Sequence, residues 1–387
     1  MYTRSKTPYL LFLPRWYPSA EFPQHGIFNQ KHIECLPIQH KVVLSLHPGN
    51  GFSIKSSSEN NSTVYRATYA HAENATIKNL LHYAYAFFRA LGIIRQEQGL
   101  PVLLHSLVGS RNLVLASLVS TFWKRPLIHS EHRSAFFEES QHPLKGFRLQ
   151  LALWALGKAS VLSVPSSFLA KRLMLLSPNL KPIIIPNVVR SLSVKKHAPN
   201  TPQLKLVMVC DFHDAVKNIR GFLDLFQAFP NEWTLAIYGS GQDDALVREH
   251  AQFLGLSEPR LCFKGATDNE RVLEILPDYD VLCLNSRIET FSIVAAEAIG
   301  SGLAVVSTPC GGPESFLGFP HTKVVKSKRP EDWVNAIREV VTAWNPETVR
   351  SASDLIQETF GPDQAGKEWM KVYREMAVRK GRELRIV

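Results

Sequence analysis

The first 190 residues contain no aspartate. Their eight acidic residues are all glutamate and face 21 lysines and arginines, so this stretch carries +13. The rest of the chain holds 23 basic and 26 acidic side chains, −3, within an overall balance of +10. Ten of the fourteen histidines also fall in the first half. Such asymmetry points to an anionic partner for one half, for which nucleic acid, a phosphorylated acceptor and an anionic bilayer are the candidates. Cysteine is scarce. Cys35, Cys210, Cys262, Cys283 and Cys310 form no C-x-x-C pair, which argues against zinc or redox motifs and for buried reduced thiols. Long apolar runs are lacking too. The longest, 113–123, is interrupted by Ser117, Ser120 and Thr121, whereas a bilayer span needs about 20 apolar residues. Residues 1–8 lack the apolar core of a signal peptide, so the expected location is cytoplasmic. No G-x-G-x-x-G follows the first strand, which disfavours a dinucleotide-dependent dehydrogenase.

What is present is a strand–helix alternation, repeated twice. In the first half, 9–13, 42–46, 102–105, 127–129, 161–164 and 183–185 read as strands, and 27–36, 77–96, 111–122, 143–156 and 167–175 as helices. In the second half the strands are 204–209, 234–238, 261–263, 281–284 and 304–307. The helices are 218–229, 243–254, 269–276, 293–300 and 330–343. At 387 residues with 45% hydrophobic content, the chain is sized for two domains. The expected fold class is α/β, with two doubly wound Rossmann-like domains facing across a cleft. The boundaries are 1–190, a polar linker at 191–203, a second domain at 204–362, and a basic C-terminal helix and tail at 363–387 that returns to the first domain. Ligands of such sheets bind beyond the C-terminal strand ends.

The strongest local signal is NSRIETFSIVAAE (285–297), where a strand leads through a short loop into a helix. Ser292 reads as its N-cap, which leaves the Ile293 and Val294 amides free for an anion such as a diphosphate. Glu289 stands just before the helix and Glu297 just over a turn inside it. This stretch resembles the E-G-F-G-L-x-x-x-E motif of family 4 retaining glycosyltransferases of the GT-B fold. Phe291 matches, and Thr290 and Ser292 stand where that family has glycine. The segment AIGSGLAVVSTPCGGPE (298–314) is similar to the same family.

Further segments carry the resemblance. VMVCDFHDAVKN (207–218) resembles the strand and loop with the donor-phosphate lysine, which makes Lys217, followed by Asn218, that residue. The family has arginine six positions earlier, where this chain has Asp211, so Arg220 or Arg287 is the candidate substitute. IYGSG (237–241) with Gly239 resembles the glycine turn after the second strand, and FKGAT (263–267) with Thr267 the loop at the nucleotide base. Early in the chain, PRWYPS (14–19) and GIFNQK (26–31) look like the N-terminal loop, with Gly26 letting backbone approach the donor phosphate. SEH (130–132) places His132 at the sugar-contacting position, and His105 is a weaker candidate.

The resemblance implies a retaining, metal-independent transfer from a nucleotide sugar, with a UDP-sugar favoured over a GDP-sugar and no cofactor. Glu289, His132 and Lys217 would be catalytic. Gly26, Lys217, Asn218, Gly239, Thr267, Thr290, Phe291, Ser292, Ile293 and Glu297 would bind donor, with Glu297 on the ribose. The D-x-D at Asp278 and Asp280 begins a buried strand, where local pairing is expected rather than metal. The expected acceptor is a glycan or lipid-phosphate-linked glycan of surface polysaccharide synthesis, lipopolysaccharide or capsule. It would be met at the inner face of an anionic membrane, with no nucleic acid partner. Helices 77–96, with Lys78, Arg89 and Arg95, and 143–156, with Lys145, Arg148, Phe147 and Trp154, are the candidate membrane faces, although most of their apolar residues are expected to pack on the sheet. Two alternatives are a nucleotide-sugar epimerase of the same fold and a catalytically silent binding protein.

Overall fold

The computed structural model describes residues 7–378 apart from Phe22, Asn74, Ala75, Ser110, Ser191, Leu192 and Lys196. Two sheets carry the chain. The first contains β1 (Leu10–Pro14), β2 (Lys41–Gly49), β3 (Ser53–Glu59), β4 (Ser62–Ala70), β5 (Leu103–Leu107), β6 (Leu127–Ser130), β7 (Val161–Val164) and β8 (Ile183–Ile184). Its order is β3-β4-β2-β1-β5-β6-β7-β8, parallel except for β3 against β4. Its helices are α1 (Ile27–Glu34), α2 (Thr76–Gln98), α3 (Arg111–Trp123), α4 (Gly146–Gly157) and α5 (Ser167–Leu176). The central strands are near-continuous apolar runs, LLFLP in β1 and LLHSL in β5, buried at every position, as expected of parallel strands covered on both faces.

The second sheet holds β9 (Lys205–Val209), β10 (Thr234–Tyr238), β11 (Leu261–Gly265), β12 (Val281–Leu284), β13 (Ala304–Ser307) and β14 (Thr322–Val324), all parallel, in the order β11-β10-β9-β12-β13-β14. Around it lie α6 (Asp214–Lys217), α7 (Ile219–Phe226), α8 (Asp244–Phe253), α9 (Asn269–Ile275), α10 (Ile293–Gly300), α11 (Pro330–Thr342) and α12 (Pro346–Phe360). In both sheets the strand order reverses once, between β1 and β5 and between β9 and β12. A doubly wound sheet opens a ligand crevice at such a reversal.

The last helix, α13 (Pro362–Val378), crosses back to the first domain. Its Trp369 Nε1 donates to His32 Nδ1 at 3.2 Å, and Tyr373 Oη lies 2.7 Å from His105 Nδ1. Trp369, Met370, Tyr373 and Met376 join the core formed by β1, β5 and α1. The returning helix was anticipated; residues 379–387 of the expected tail lie outside the described residues. The linker also docks, with the Lys195 amide donating to the Ser301 carbonyl at 2.9 Å.

Strands β3, β4 and β14, the single turn of α6 and helix α12 escaped the sequence reading. The β3–β4 hairpin turns at Asn60 and Asn61, both at positive φ, and β3 is a polar, largely exposed edge strand without apolar alternation. Strand β14 has three residues. Helix α12 is announced by Asn345, whose side chain accepts from the Thr348 amide, followed by Pro346 at the first turn.

Candidate functional site

The loops after β9 and β12 meet those after β1 and β6 across a cavity of about 920 Å³ between the two sheets. Lys217 ends α6 and its Nζ lies 2.5 Å from Glu289 Oε1. The Ser286 hydroxyl donates to the same oxygen at 2.8 Å. The Glu289 backbone is fixed from below. Its amide donates to the Cys310 carbonyl and its carbonyl accepts from the Gly312 amide, both at 2.8 Å. A Cβ on Gly312 would fall 2.4 Å from the Phe291 nitrogen, so only glycine allows this approach. Burial works against the Lys217 charge, but the Glu289 carboxylate outweighs it and holds the ammonium above the ordinary lysine value.

Helix α10 starts at Ile293 as expected, but Ser292 does not cap it with its side chain. Ser292 sits at φ 67°, in the left-handed region, and its buried hydroxyl makes no hydrogen bond. The motif it resembles has glycine here, and the backbone takes a conformation that glycine favours although the residue is serine. The loop holds because Phe291 is anchored in the core against Phe316 and Phe360, with ring centroids 5.3 and 5.2 Å apart. Phe291 therefore supports the loop and does not line the cavity. Thr290 ties the domains together. Its hydroxyl donates to the His132 carbonyl at 2.9 Å, and Ser166 Oγ donates to the Thr290 carbonyl at 2.5 Å.

Glu297 lies deeper, 2% exposed, and is engaged from the opposite domain. Lys31 Nζ of α1 lies 3.3 Å from its Oε1, and Asn269 Nδ2 donates to its two oxygens at 3.2 and 3.4 Å. Lys31 also donates to Asn269 Oδ1 at 2.5 Å. Burial pushes the Glu297 carboxyl above the ordinary value, and Lys31 opposes that shift. Lys31 and Asn269 line the cavity but were not singled out from the sequence; an isolated lysine in an amphipathic helix gives no local signal.

On the first-domain wall, His132 contacts the Phe28 and His32 rings at 5.2 and 5.4 Å, and neither of its ring nitrogens is hydrogen-bonded. Burial, with His32 adding to it, pushes its pKa down to about 3, so the imidazole is neutral and available to a ligand hydroxyl. The neighbouring Glu131 is fully buried. Its Oε1 accepts from the His132 and Arg133 amides and from Arg133 Nε, all at 3.0 Å. Against the opposing effect of burial, the Arg133 guanidinium holds Glu131 well below the usual carboxylate range.

Of the residues expected from the sequence, Glu289, His132, Lys217, Gly239, Thr267, Thr290, Ser292, Ile293 and Glu297 line one cavity. Gly26, Asn218, Phe291 and His105 do not. A Cβ on Gly26 would fall 2.3 Å from the Trp16 carbonyl oxygen, so this glycine serves packing of its own loop. Asn218 is a left-handed hinge between α6 and α7; its Oδ1 accepts from Arg287 Nη2 at 2.7 Å. His105 holds Tyr373 and, at 2.8 Å, Ser130. Arg220 pairs with Asp214 at 2.8 Å, and Arg287 donates to the Asp214 and Ala215 carbonyls, so both candidate substitutes are held outside the cavity while Asp211 lines it. Asp280 accepts from the Lys205 amide at 2.8 Å and pairs with Lys195 at 3.0 Å, which is the local pairing expected for it.

Residues 189–357 match the family described as glycosyl transferases group 1. D-inositol 3-phosphate glycosyltransferase of Mycobacteroides abscessus is 31% identical over 105 residues, 27% of this chain and 24% of the relative, so the chain matches about a quarter of that protein's length. Sucrose-phosphate synthase from Thermosynechococcus elongatus superposes with a TM-score of 0.74 at 16% identity, over 96% of this chain and all of that one. The Anabaena protein Alr3699/HepE, in complex with UDP and glucose, gives a TM-score of 0.71 at 16% identity, over 94% and 98% of the two chains. The fold is that of the GT-B glycosyltransferases, and the second domain carries the group 1 glycosyl transferase segment.

Proposed function

We propose that the protein is a retaining, metal-independent glycosyltransferase. It takes a sugar from a nucleotide-sugar donor, UDP-linked in preference to GDP-linked, and passes it to a hydroxyl of a glycan or lipid-phosphate-linked glycan. The acceptor oxygen bonds to the anomeric carbon, the bond from that carbon to the diphosphate breaks, and the hydroxyl proton leaves to a phosphate oxygen or water. The observation that carries this reading is the convergence of Lys217, Glu289 and the free amide end of α10 on one cavity. An ammonium and backbone amides suit a leaving diphosphate, and Glu289 suits the positive charge developing on the sugar. Glu297 faces the ribose in this scheme, and ribose binding works against its contact with Lys31. UDP and glucose in the HepE complex are consistent with the donor.

The acceptor side points to a membrane. Along α2, Tyr83, Ala86, Phe87, Ala90 and Ile94 pack on the sheet, while Ile77, Leu81, Tyr85 and Phe88 stay 77, 64, 57 and 47% exposed, one helical stripe flanked by Lys78 and Arg89. On α4, Phe147 and Trp154 are 79 and 46% exposed, and Lys158 lies over the Trp154 ring. A basic apolar surface of this kind suits the inner face of an anionic bilayer and an acceptor of surface polysaccharide synthesis. No helix among the described residues is long and apolar enough to cross a membrane.

The test is a panel of UDP-, GDP- and ADP-sugars scored for donor hydrolysis and for protection against unfolding. A ligand at a hundred times its Kd stabilises by about 2.7 kcal/mol. UDP-sugars should protect and turn over. Failure of every nucleotide to protect would overturn the reading, and release of a free epimerised nucleotide sugar would make the enzyme an epimerase.

A further inference from the structure

The first-domain wall of the cavity carries a group of guanidinium side chains outside the proposed donor contacts. Arg15 follows β1 and Arg133 follows β6, and both line the cavity, as does Arg148 of α4. Arg111 opens α3, at the strand-order reversal beside β5. The nearby acid is Glu131, which is buried and already accepts from Arg133 Nε and Nη2 at 3.0 and 2.9 Å. Arg111 is occupied from behind, 4.3 Å over the Tyr83 ring and donating to Tyr69 Oη at 3.2 Å. Arg15 stacks on Trp16 at 4.7 Å and has no carboxylate partner among the described ion pairs. Its pKa is pushed down to about 10, first by burial and then by Arg133, with Arg111 adding to it and Glu131 opposing. Clustered like charges facing a cavity are relieved by an anion.

We propose that Arg15, backed by Arg111 and flanked by Arg133, binds a phosphate group of the acceptor. This rests on the glycosyltransferase reading and narrows its acceptor to a phosphorylated molecule. The group sits on first-domain loops, after β1 and β6, whereas Lys217 and α10 belong to the second domain across the cavity, which assigns it to the acceptor side. Arginine suits the task because its planar fork meets phosphate oxygens in pairs.

The probes are glycerol 3-phosphate, glycerol as its neutral counterpart, and UDP, titrated into the full chain and into the R15Q and R15K variants. Wild type should bind glycerol 3-phosphate and not glycerol. R15Q should weaken glycerol 3-phosphate about tenfold and R15K less, while UDP affinity stays within about twofold. Competition by phosphatidic-acid vesicles would place the phosphate on a lipid, and competition only by water-soluble sugar phosphates would place it on a free acceptor; the site stands in either case. Equal affinity of wild type and R15Q for glycerol 3-phosphate, or no binding by wild type, overturns the proposal. Loss of UDP affinity in R15Q overturns it by moving Arg15 to the donor. UDP binding in wild type separately tests the glycosyltransferase reading.

Discussion

Replacing Lys31 by methionine keeps the aliphatic stem and removes the ammonium that faces Glu297. The two side chains are 6 and 2% exposed, so water hydrates the carboxylate left behind only poorly. It would retain only the Asn269 amide, at 3.2 and 3.4 Å. Removing one partner of a buried pair costs about 3–5 kcal/mol. Protonation offers an escape, because burial already raises the Glu297 pKa and Lys31 is the main influence opposing that rise. In the variant the folded-state pKa climbs further above the unfolded value near 4.3, so the folded state holds a proton that the unfolded state has lost. Stability from that proton is complete at low pH and is lost as pH rises through the folded pKa. The deficit of K31M relative to wild type should therefore grow between about pH 5.5 and pH 8. Adding Glu297→Gln to K31M should recover most of it, since the amide carries no charge to strand. Urea denaturation of the full chain, with the single and double variants at both pH values, reads this directly. A K31M deficit below about 1 kcal/mol at pH 8, or one equal at both pH values, would refute the reasoning.

Lys217→Ala should lower kcat/KM by about 2–4 kcal/mol of transition-state stabilisation, roughly 30- to 900-fold; steady-state kinetics with donor and acceptor measure it, and turnover within about threefold of wild type would remove the residue from the site. His32 and His132 have pKa values lowered by burial to about 4 and about 3, and His105 lies well below its ordinary value, so all three are neutral in the folded state. Their unfolded forms take protons near 6.5, so the stability is complete above that pH and is lost as pH falls toward 4, by up to about 1.4 kcal/mol per unit per histidine; denaturation at stepped pH should show this, and a flat profile from 7 to 5 would contradict it. Ser292→Gly should relieve the left-handed serine and its unpartnered hydroxyl and raise stability by about 1 kcal/mol. A fall in melting temperature would show that the hydroxyl has a partner in the folded state.

The alternation of buried strands and amphipathic helices made both domains legible, because fully covered parallel strands must be apolar runs. Strands Val161–Val164, Thr234–Tyr238, Val281–Leu284 and Ala304–Ser307 and helix Ile293–Gly300 match the residues read from the sequence. Edges were less legible, since β3 and β14 have little buried face to impose a pattern. Within the site, motif residues on the second-domain loops were readable because their neighbours in sequence are their neighbours in space. Lys31, Arg15 and Arg133 were not, since what makes them notable is the residue across the cleft. Gly26 and Asn218 were assigned to ligand through the family resemblance, Gly26 as a point of close backbone approach; here that approach is to Trp16, and Asn218 accepts from Arg287.

The halves' net charges pointed toward the first domain as the anion-binding one, yet the proposed diphosphate site belongs to the half that carries −3. The two facts act over different distances. At physiological ionic strength exposed charges are screened beyond about 8 Å, so a small surplus of surface carboxylates scarcely weakens a site built on the Lys217 ammonium and a helix end. What decides local anion binding is orientation and burial: Lys217 is held in place by Glu289, and the α10 amides point one way because the chain turns at Ser292. The +13 of the first half acts differently. It is spread over exposed side chains such as Lys124, Lys145 and Lys158, which suits a large, diffuse partner such as a bilayer, whose attraction adds up at roughly 1 kcal/mol per basic residue and fades with salt. Sedimentation with anionic vesicles should therefore weaken steeply as salt rises, whereas UDP binding should change little. Parallel loss of both with salt would mean that the donor site depends on the same diffuse field, and the division between built site and basic surface would fail.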